Sequence, residues 1–97
     1  MLTQEEILDF LKKNNETLKE KFSVVRIGLV GSYAIGKQSE SSDIDFLVEF
    51  KEPSFDDLAG LYIFLEDNFD KKIDIIRMRK YLKKNFLQRL EKTVIYG

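Results

Sequence analysis

The 97-residue chain has no cysteine and no histidine, and only one proline. Without cysteine there is no disulfide framework, and thiols place no constraint on the redox compartment. Without histidine, His/Cys metal sites, Ser-His-Asp triads and imidazole acid–base chemistry are all excluded. Any metal must be held by oxygen, which favours Mg²⁺, Ca²⁺ or Mn²⁺. No apolar run approaches the roughly 20 residues of a membrane span. Acids appear early in the chain, where a signal peptide would carry an apolar core. The expectation is a cytoplasmic protein without membrane contact.

What is present points to one compact domain over residues 1–97. The composition is 43% hydrophobic and 34% charged, with five glycines, which suits an ordered fold rather than disorder. A chain of this length buries about two-thirds of its unfolded surface. That allows one modest core and no separate substrate domain. The net charge of −1 hides an asymmetry. Residues 40–70 carry ten acids and one base, Lys51; residues 71–92 carry nine Lys/Arg and two acids, Asp74 and Glu91. The basic segment reads either as a solvated helix or as a surface for phosphates or an acidic partner.

Hydrophobic spacing gives the order α-β-α-β-α-β-α, with a possible last short strand at 93–96. Thr3 with Glu6 has the spacing of a capping box, and Ile7, Leu8, Leu11 and Leu18 extend a helix to about Lys21. Residues 24–30 read as a β-branched strand, 33–36 as a short helical turn, and 43–50 as a second, alternating strand. Ser54 caps the next helix, with Asp57 at its third position. Phe55, Leu58, Tyr62, Leu65 and Phe69 form its apolar stripe. A third strand covers 73–76, and a basic amphipathic helix covers about 79–91, with Leu82, Phe86, Leu87 and Leu90 apolar. This alternation predicts an α/β (α+β) fold: a small mixed sheet of three to four strands, with helices packed mainly on one face.

The chemistry is concentrated in GSYAIGKQSESSDID, residues 31–45. In a strand, Asp43 and Asp45 share a face while Ile44 and Phe46 take the other. Two adjacent carboxylates repel unless a cation neutralises them, and a hard divalent ion answers that need. Gly31 lets the backbone approach a ligand. The N–H groups of the following turn, with the Ser32 hydroxyl, suit a phosphate. Asp74 alternates with Ile73 and Ile75, so it belongs on the face that carries the other two aspartates. There it could join a metal and accept the proton of an attacking hydroxyl. Ser39, Ser41 and Ser42 read as turn-forming hydroxyls, with Ser42 alternatively steadying Asp43, and Tyr33 reads as a residue of the turn or, alternatively, as a ring that stacks on a base.

Other motif readings fail on particular residues. Residues 31–37 fit most of a Walker A loop, but Gln38 stands where the Mg²⁺-binding hydroxyl belongs. An EF-hand fails because Phe46, Leu47 and Val48 occupy positions that need ligands or glycine. A glycosyltransferase Asp-x-Asp would require a much longer chain.

The segment resembles the polymerase-beta-like nucleotidyltransferase superfamily, and within it the minimal nucleotidyltransferases that act as antitoxins beside HEPN-domain toxins. The hallmark is Gly-Ser, about ten residues, Asp-x-Asp, and a third Asp on a later strand; here Gly31, Ser32, Asp43, Asp45 and Asp74. The likeness covers nearly the whole chain. One departure is visible: the family often reads Gly-Ser-x-Ala-Arg-Gly, and Ile35 stands in the place of that Arg. The resemblance implies the nucleotidyltransferase fold and ATP as substrate. Two Mg²⁺ ions would be held by Asp43, Asp45 and Asp74. Gly31, Ser32, Ser42 and Lys37 would line the nucleotide site. AMP would pass to a tyrosine hydroxyl of a HEPN toxin. Two rivals remain at this point: an antitoxin that neutralises its partner by binding alone, and nucleic-acid binding through residues 77–92, which is less favoured. Assembly with like or unlike subunits is left open.

Overall fold

The computed structural model describes residues 2–52, 54–78, 88–89 and 92–97. Its elements are α1 (Gln4–Lys13), α2 (Asn15–Phe22), β1 (Val24–Val30), β2 (Ile44–Phe50), α3 (Phe55–Phe69), β3 (Ile73–Arg77) and β4 (Ile95–Tyr96). The predicted basic helix over 79–91 lies outside the described residues except at 88–89, which are helical.

Thr3 caps α1 as the spacing predicts. Its hydroxyl accepts the Glu6 N–H at 3.2 Å, and the Glu6 carboxylate accepts the Thr3 N–H at 3.2 Å. The single helix expected to run on to about Lys21 is two. The break is at Asn14, whose side-chain amide donates to the Phe10 carbonyl at 2.9 Å. Asparagine competes in this way with the helical ladder. The same residue ends α1 and precedes α2, and the Leu18 N–H returns to its carbonyl at 2.9 Å. Ile7, Leu11 and Leu18 are buried on both sides of the break, so the apolar spacing alone could not reveal it.

The sheet has the order β3-β2-β1-β4. β1 pairs antiparallel with both β2 and β4, and β2 pairs parallel with β3. A parallel neighbour needs a long crossover, which α3 supplies. Register then sorts the side chains. Leu29 faces Phe46, Phe46 faces Ile75, and Ile44 faces Ile73; all are buried in one cluster with Ile7, Leu11, Leu18, Leu61 and Leu65. The helices therefore cover this face. Phe10 contacts Phe64 and Phe69 at ring-centroid distances of 5.7 and 4.7 Å, and Phe22 meets Phe64 at 5.4 Å, which fastens α1 and α2 to α3. β3 is an edge strand, and its Ile75 N–H is satisfied by the Tyr62 hydroxyl at 3.1 Å.

Ser54 caps α3, accepting the Asp57 N–H at 3.0 Å. The expected apolar stripe needs correction at its start. Phe55 is 82% exposed, whereas Leu61, outside the stripe, is fully buried with Leu65. Phe55 is the first helical residue, and the buried positions of α3 begin later. Periodicity ranks faces of a helix but does not say which turns meet the sheet. Accordingly, Leu61→Ala should lower stability by about 2–5 kcal/mol, and Phe55→Ala should stay within about 0.5 kcal/mol of wild type. Urea unfolding monitored by circular dichroism measures both. Equal losses would refute this assignment of the core.

Candidate active site

Topology gathers the candidate residues at one end of the sheet. β1 ends at Val30, just before Gly31; β2 runs antiparallel to it and begins at Ile44, just after Asp43; β3 runs parallel to β2 and begins at Ile73. Val30 is the Cα partner of Asp45, and Asp45 is the Cα partner of Asp74. Neighbouring strands lie about 4.8 Å apart, so Asp45 and Asp74 stand side by side. Both sit on the face opposite Ile44, Phe46, Ile73 and Ile75, as alternation predicts. Asp43 immediately precedes β2, and the three acids occupy one sheet end.

Gly31 is required there on two counts. Its φ of +74° is a conformation that side-chain-bearing residues rarely adopt. A Cβ at this position would also overlap the Asp45 Oδ2 and sit 3.1 Å from its Cγ. The Asp45 carboxylate is thus packed directly against the Gly31 backbone. Beyond Gly31 the chain coils into a tight turn. The Ala34 and Ile35 N–H groups donate to the Gly31 carbonyl at 3.1 and 3.3 Å, and the Lys37 N–H donates to the Ser32 carbonyl at 2.9 Å. Ser32 is half-buried in this corner; Ile35 and Lys37 are exposed on it. Gln4 pins the turn from α1, donating to the Tyr33 and Ala34 carbonyls at 3.0 and 2.9 Å.

The structure decides between two pairs of alternatives that the sequence leaves open. Tyr33 is fully buried in the core, so its ring is not available to stack on a base. Ser42 does not spend its hydroxyl on Asp43: the Oγ accepts the Ser39 N–H at 2.9 Å and lies 3.3 Å from the Ser39 Oγ. It shapes the turn that delivers Asp43. Two residues escaped the sequence reading. Gln4 had a signal, since it falls at helical spacing with the buried Ile7 and Leu11. Lys71 had none that separates it from Lys72. Its ammonium donates to the Glu40 carbonyl at 2.7 Å.

Among the described residues the three aspartates form no ion pair. Burial pushes the Asp45 carboxyl above the usual range, and the charges of Asp74 and then Asp43 push it further in the same direction. Among the described residues no three acids are close enough to form a ready coordination group. That spacing is compatible with the coupling felt at Asp45, because carboxylates repel over several ångströms. An all-oxygen donor set whose central carboxyl is held above its usual pKa by like charges fits a hard divalent cation. Size alone would mislead. An open depression of about 590 Å³, lined by Lys19, Ser23, Val25 and Lys51 among others, lies at the opposite end of β1 and β2.

The sign of the Asp45 shift yields a test that needs no activity assay. A folded-state pKa above the unfolded value favours the protonated form, so its stabilisation is complete at low pH and is lost as pH rises through the folded pKa. Asp45→Asn, which resembles the protonated acid, should therefore melt higher than wild type at pH 7 without divalent ions. The gain should vanish below about pH 4. A variant melting lower than wild type at pH 7 would contradict the coupling. Gly31→Ala should cost about 1–2 kcal/mol for its backbone conformation alone, read by the same melting curves, and a neutral result would remove the argument for close packing.

A family model for the nucleotidyltransferase domain matches residues 11–96. The chain is 37% identical over 97 residues to the protein adenylyltransferase MntA of Thermococcus cleftensis, covering 99% of this chain and 97% of that protein. It is 41% identical over 103 residues to a candidate protein adenylyltransferase of Methanocaldococcus jannaschii, covering 99% of each. A solved structure of a candidate minimal nucleotidyltransferase superposes with a TM-score of 0.78 at 27% identity, covering 97% of this chain and 95% of that one. A toxin–antitoxin crystal structure with AMP-PNP shares the fold, with a TM-score of 0.68 at 23% identity over 98% of this chain and 72% of that one. With its Gly-Ser corner and three aspartates at one sheet end, the chain belongs to the nucleotidyltransferase domain family.

Proposed function

We propose that residues 1–97 act as one minimal catalytic domain in the cytoplasm, transferring AMP from ATP to a tyrosine hydroxyl of a HEPN-type toxin and so serving as its antitoxin. The observation that carries this reading is the register placing Asp74 beside Asp45, next to a glycine corner that admits no side chain. The two protein adenylyltransferase relatives support the protein acceptor. The toxin–antitoxin neighbour with AMP-PNP is in keeping with a toxin partner and an adenine nucleotide; at its identity it argues through the fold alone.

Asp43, Asp45 and Asp74 would hold the Mg²⁺ ions. Bound there, Mg²⁺ supplies charge neutralisation for the triphosphate, a lower pKa for the acceptor hydroxyl and stabilisation of departing pyrophosphate. The chain's own groups do the rest. The Ser32 hydroxyl, with turn N–H groups other than those of Ala34, Ile35 and Lys37, which are spent on turn carbonyls, would bind phosphate oxygens at the strand end, and the exposed Lys37 ammonium is within the same turn. Gly31 keeps the Asp45 carboxylate flush with the backbone. Asp74, exposed at the start of β3, takes the proton as the hydroxyl oxygen bonds to the α-phosphorus and the bond to pyrophosphate breaks. Holding the reactants in line supplies much of the rate.

The test mixes the chain with a HEPN partner, ATP and Mg²⁺, then weighs the partner by mass spectrometry. A gain of whole AMP units is expected, abolished by chelator and by Tyr→Phe at the acceptor. Asp43→Asn and Asp45→Asn should slow transfer by more than about a hundredfold, the upper end for mere outer partners of a metal. An unshifted mass in a demonstrably bound complex would replace catalysis with neutralisation by binding. The 51% exposure of Ile35 on the turn is the feature that favours this second reading.

A further inference from the structure

Lys71 lies three residues before Asp74, close enough in sequence to serve as a counter-ion for the acidic cluster. Its ammonium is committed elsewhere. It donates to the Glu40 carbonyl at 2.7 Å and to the Ser42 carbonyl at 3.4 Å, and it lies 5.9 Å from the centroid of the buried Tyr33 ring. Among the described residues it forms no ion pair with any of the three aspartates.

These contacts join three separately encoded parts of the site. Tyr33 follows the Gly31-Ser32 corner, Glu40 and Ser42 precede Asp43, and Lys71 itself leads into β3 and Asp74. The adjacent Lys72 completes the arrangement, since its carbonyl accepts the Ile44 N–H at 3.0 Å. Asp43 is therefore flanked on both sides by residues tied to 71–72: Ser42 through the ammonium and Ile44 through the backbone. The Ile44 tie is part of the sheet and would survive loss of the side chain. The remaining bonds of Ser42, to Ser39, lie within the loop itself and do not anchor it to the body of the protein.

We propose that Lys71 is a positioning residue that sets the affinity for a divalent cation by holding the loop of residues 39–42, and with it Asp43, against Asp45 and Asp74. The inference rests on reading the three carboxylates as a metal site. The ammonium spans the elements that carry the acids while leaving their charge free for a cation. Removing it frees one flank of Asp43, so the cation must order the loop as it binds. Loss of an outer partner of this kind weakens metal binding by about 10–100-fold.

Mn²⁺, which prefers the same oxygen ligands, is titrated into the whole chain without nucleotide, and free ion is counted by electron paramagnetic resonance. Lys71→Met should bind about tenfold more weakly than wild type, and Lys71→Arg, which keeps charge and donors, should recover most of the difference. Lys71→Gln, neutral but still a donor, stands in if the methionine variant does not melt cooperatively. Excess Mg²⁺ should restore AMP transfer in Lys71→Met and fail to do so in Asp43→Asn. Wild-type Mn²⁺ affinity in a folded Lys71→Met chain overturns the latch while leaving the carboxylate site intact. Absence of Mn²⁺ binding by the wild-type chain overturns both.

Discussion

The Asp45 carboxylate rests against the Cα of Gly31, and the contact leaves no room for even one methyl group between them. It exists because β1 and β2 are antiparallel in the register that pairs Val30 with Asp45. A shift of one residue would turn Asp45 into the core and bring Ile44 or Phe46 out to solvent, inverting the burial of the whole strand. The position of a charged group at the site is thus enforced by hydrophobic burial on the other face of the same strand. Leu29, Phe46 and Ile75 form a continuous row across three strands, and each fully buried side chain of this size contributes about 1.5–3 kcal/mol. That burial opposes the mutual repulsion of the aspartates felt at Asp45.

Around this contact the turn and the loop also receive polar ties from elements distant in sequence. Gln4 reaches from the first turn of α1 to two carbonyls of the turn after Gly31. Lys71 reaches from the α3–β3 connection to the loop before Asp43. Neither residue would be singled out by its chemistry, since amides and ammonium groups are common on surfaces. Their significance comes from what their acceptors precede. A turn and a loop without a sheet ladder are ordered at modest cost when a few side chains satisfy their carbonyls. Local order of this kind precedes ligand binding and reduces what a ligand must supply on arrival.

Family membership and catalytic detail rest on different kinds of observation. The match over residues 11–96 and the relatives covering nearly the full chain identify the nucleotidyltransferase domain. The roles proposed for individual side chains rest instead on the geometry at the sheet end, where a parallel strand beside an antiparallel pair brings three separate segments together. β3 is essential to this arrangement. Were it antiparallel to β2, its first residues would lie at the opposite end of the sheet and Asp74 would be removed from the cluster.

The amino-acid sequence by itself determined the strands, the caps at Thr3 and Ser54, the Gly-Ser and Asp-x-Asp elements, and the face on which Asp45 and Asp74 stand. These are legible because they depend on local periodicity: side chains alternate along a strand, and hydroxyl caps act within three residues. It also suggested a single helix to about Lys21 and a buried Phe55, and it left open whether the Tyr33 ring stacks and whether the Ser42 hydroxyl meets Asp43. In each of these the outcome depended on which neighbour a side chain met in space, and neighbours far apart in the chain leave no local trace. Only the tertiary structure decided the strand order and the parallel pairing of β2 with β3. It alone placed Gly31 under Asp45 and attached Lys71 to the loop before Asp43, because these contacts link segments whose separation in sequence says nothing of their distance once folded.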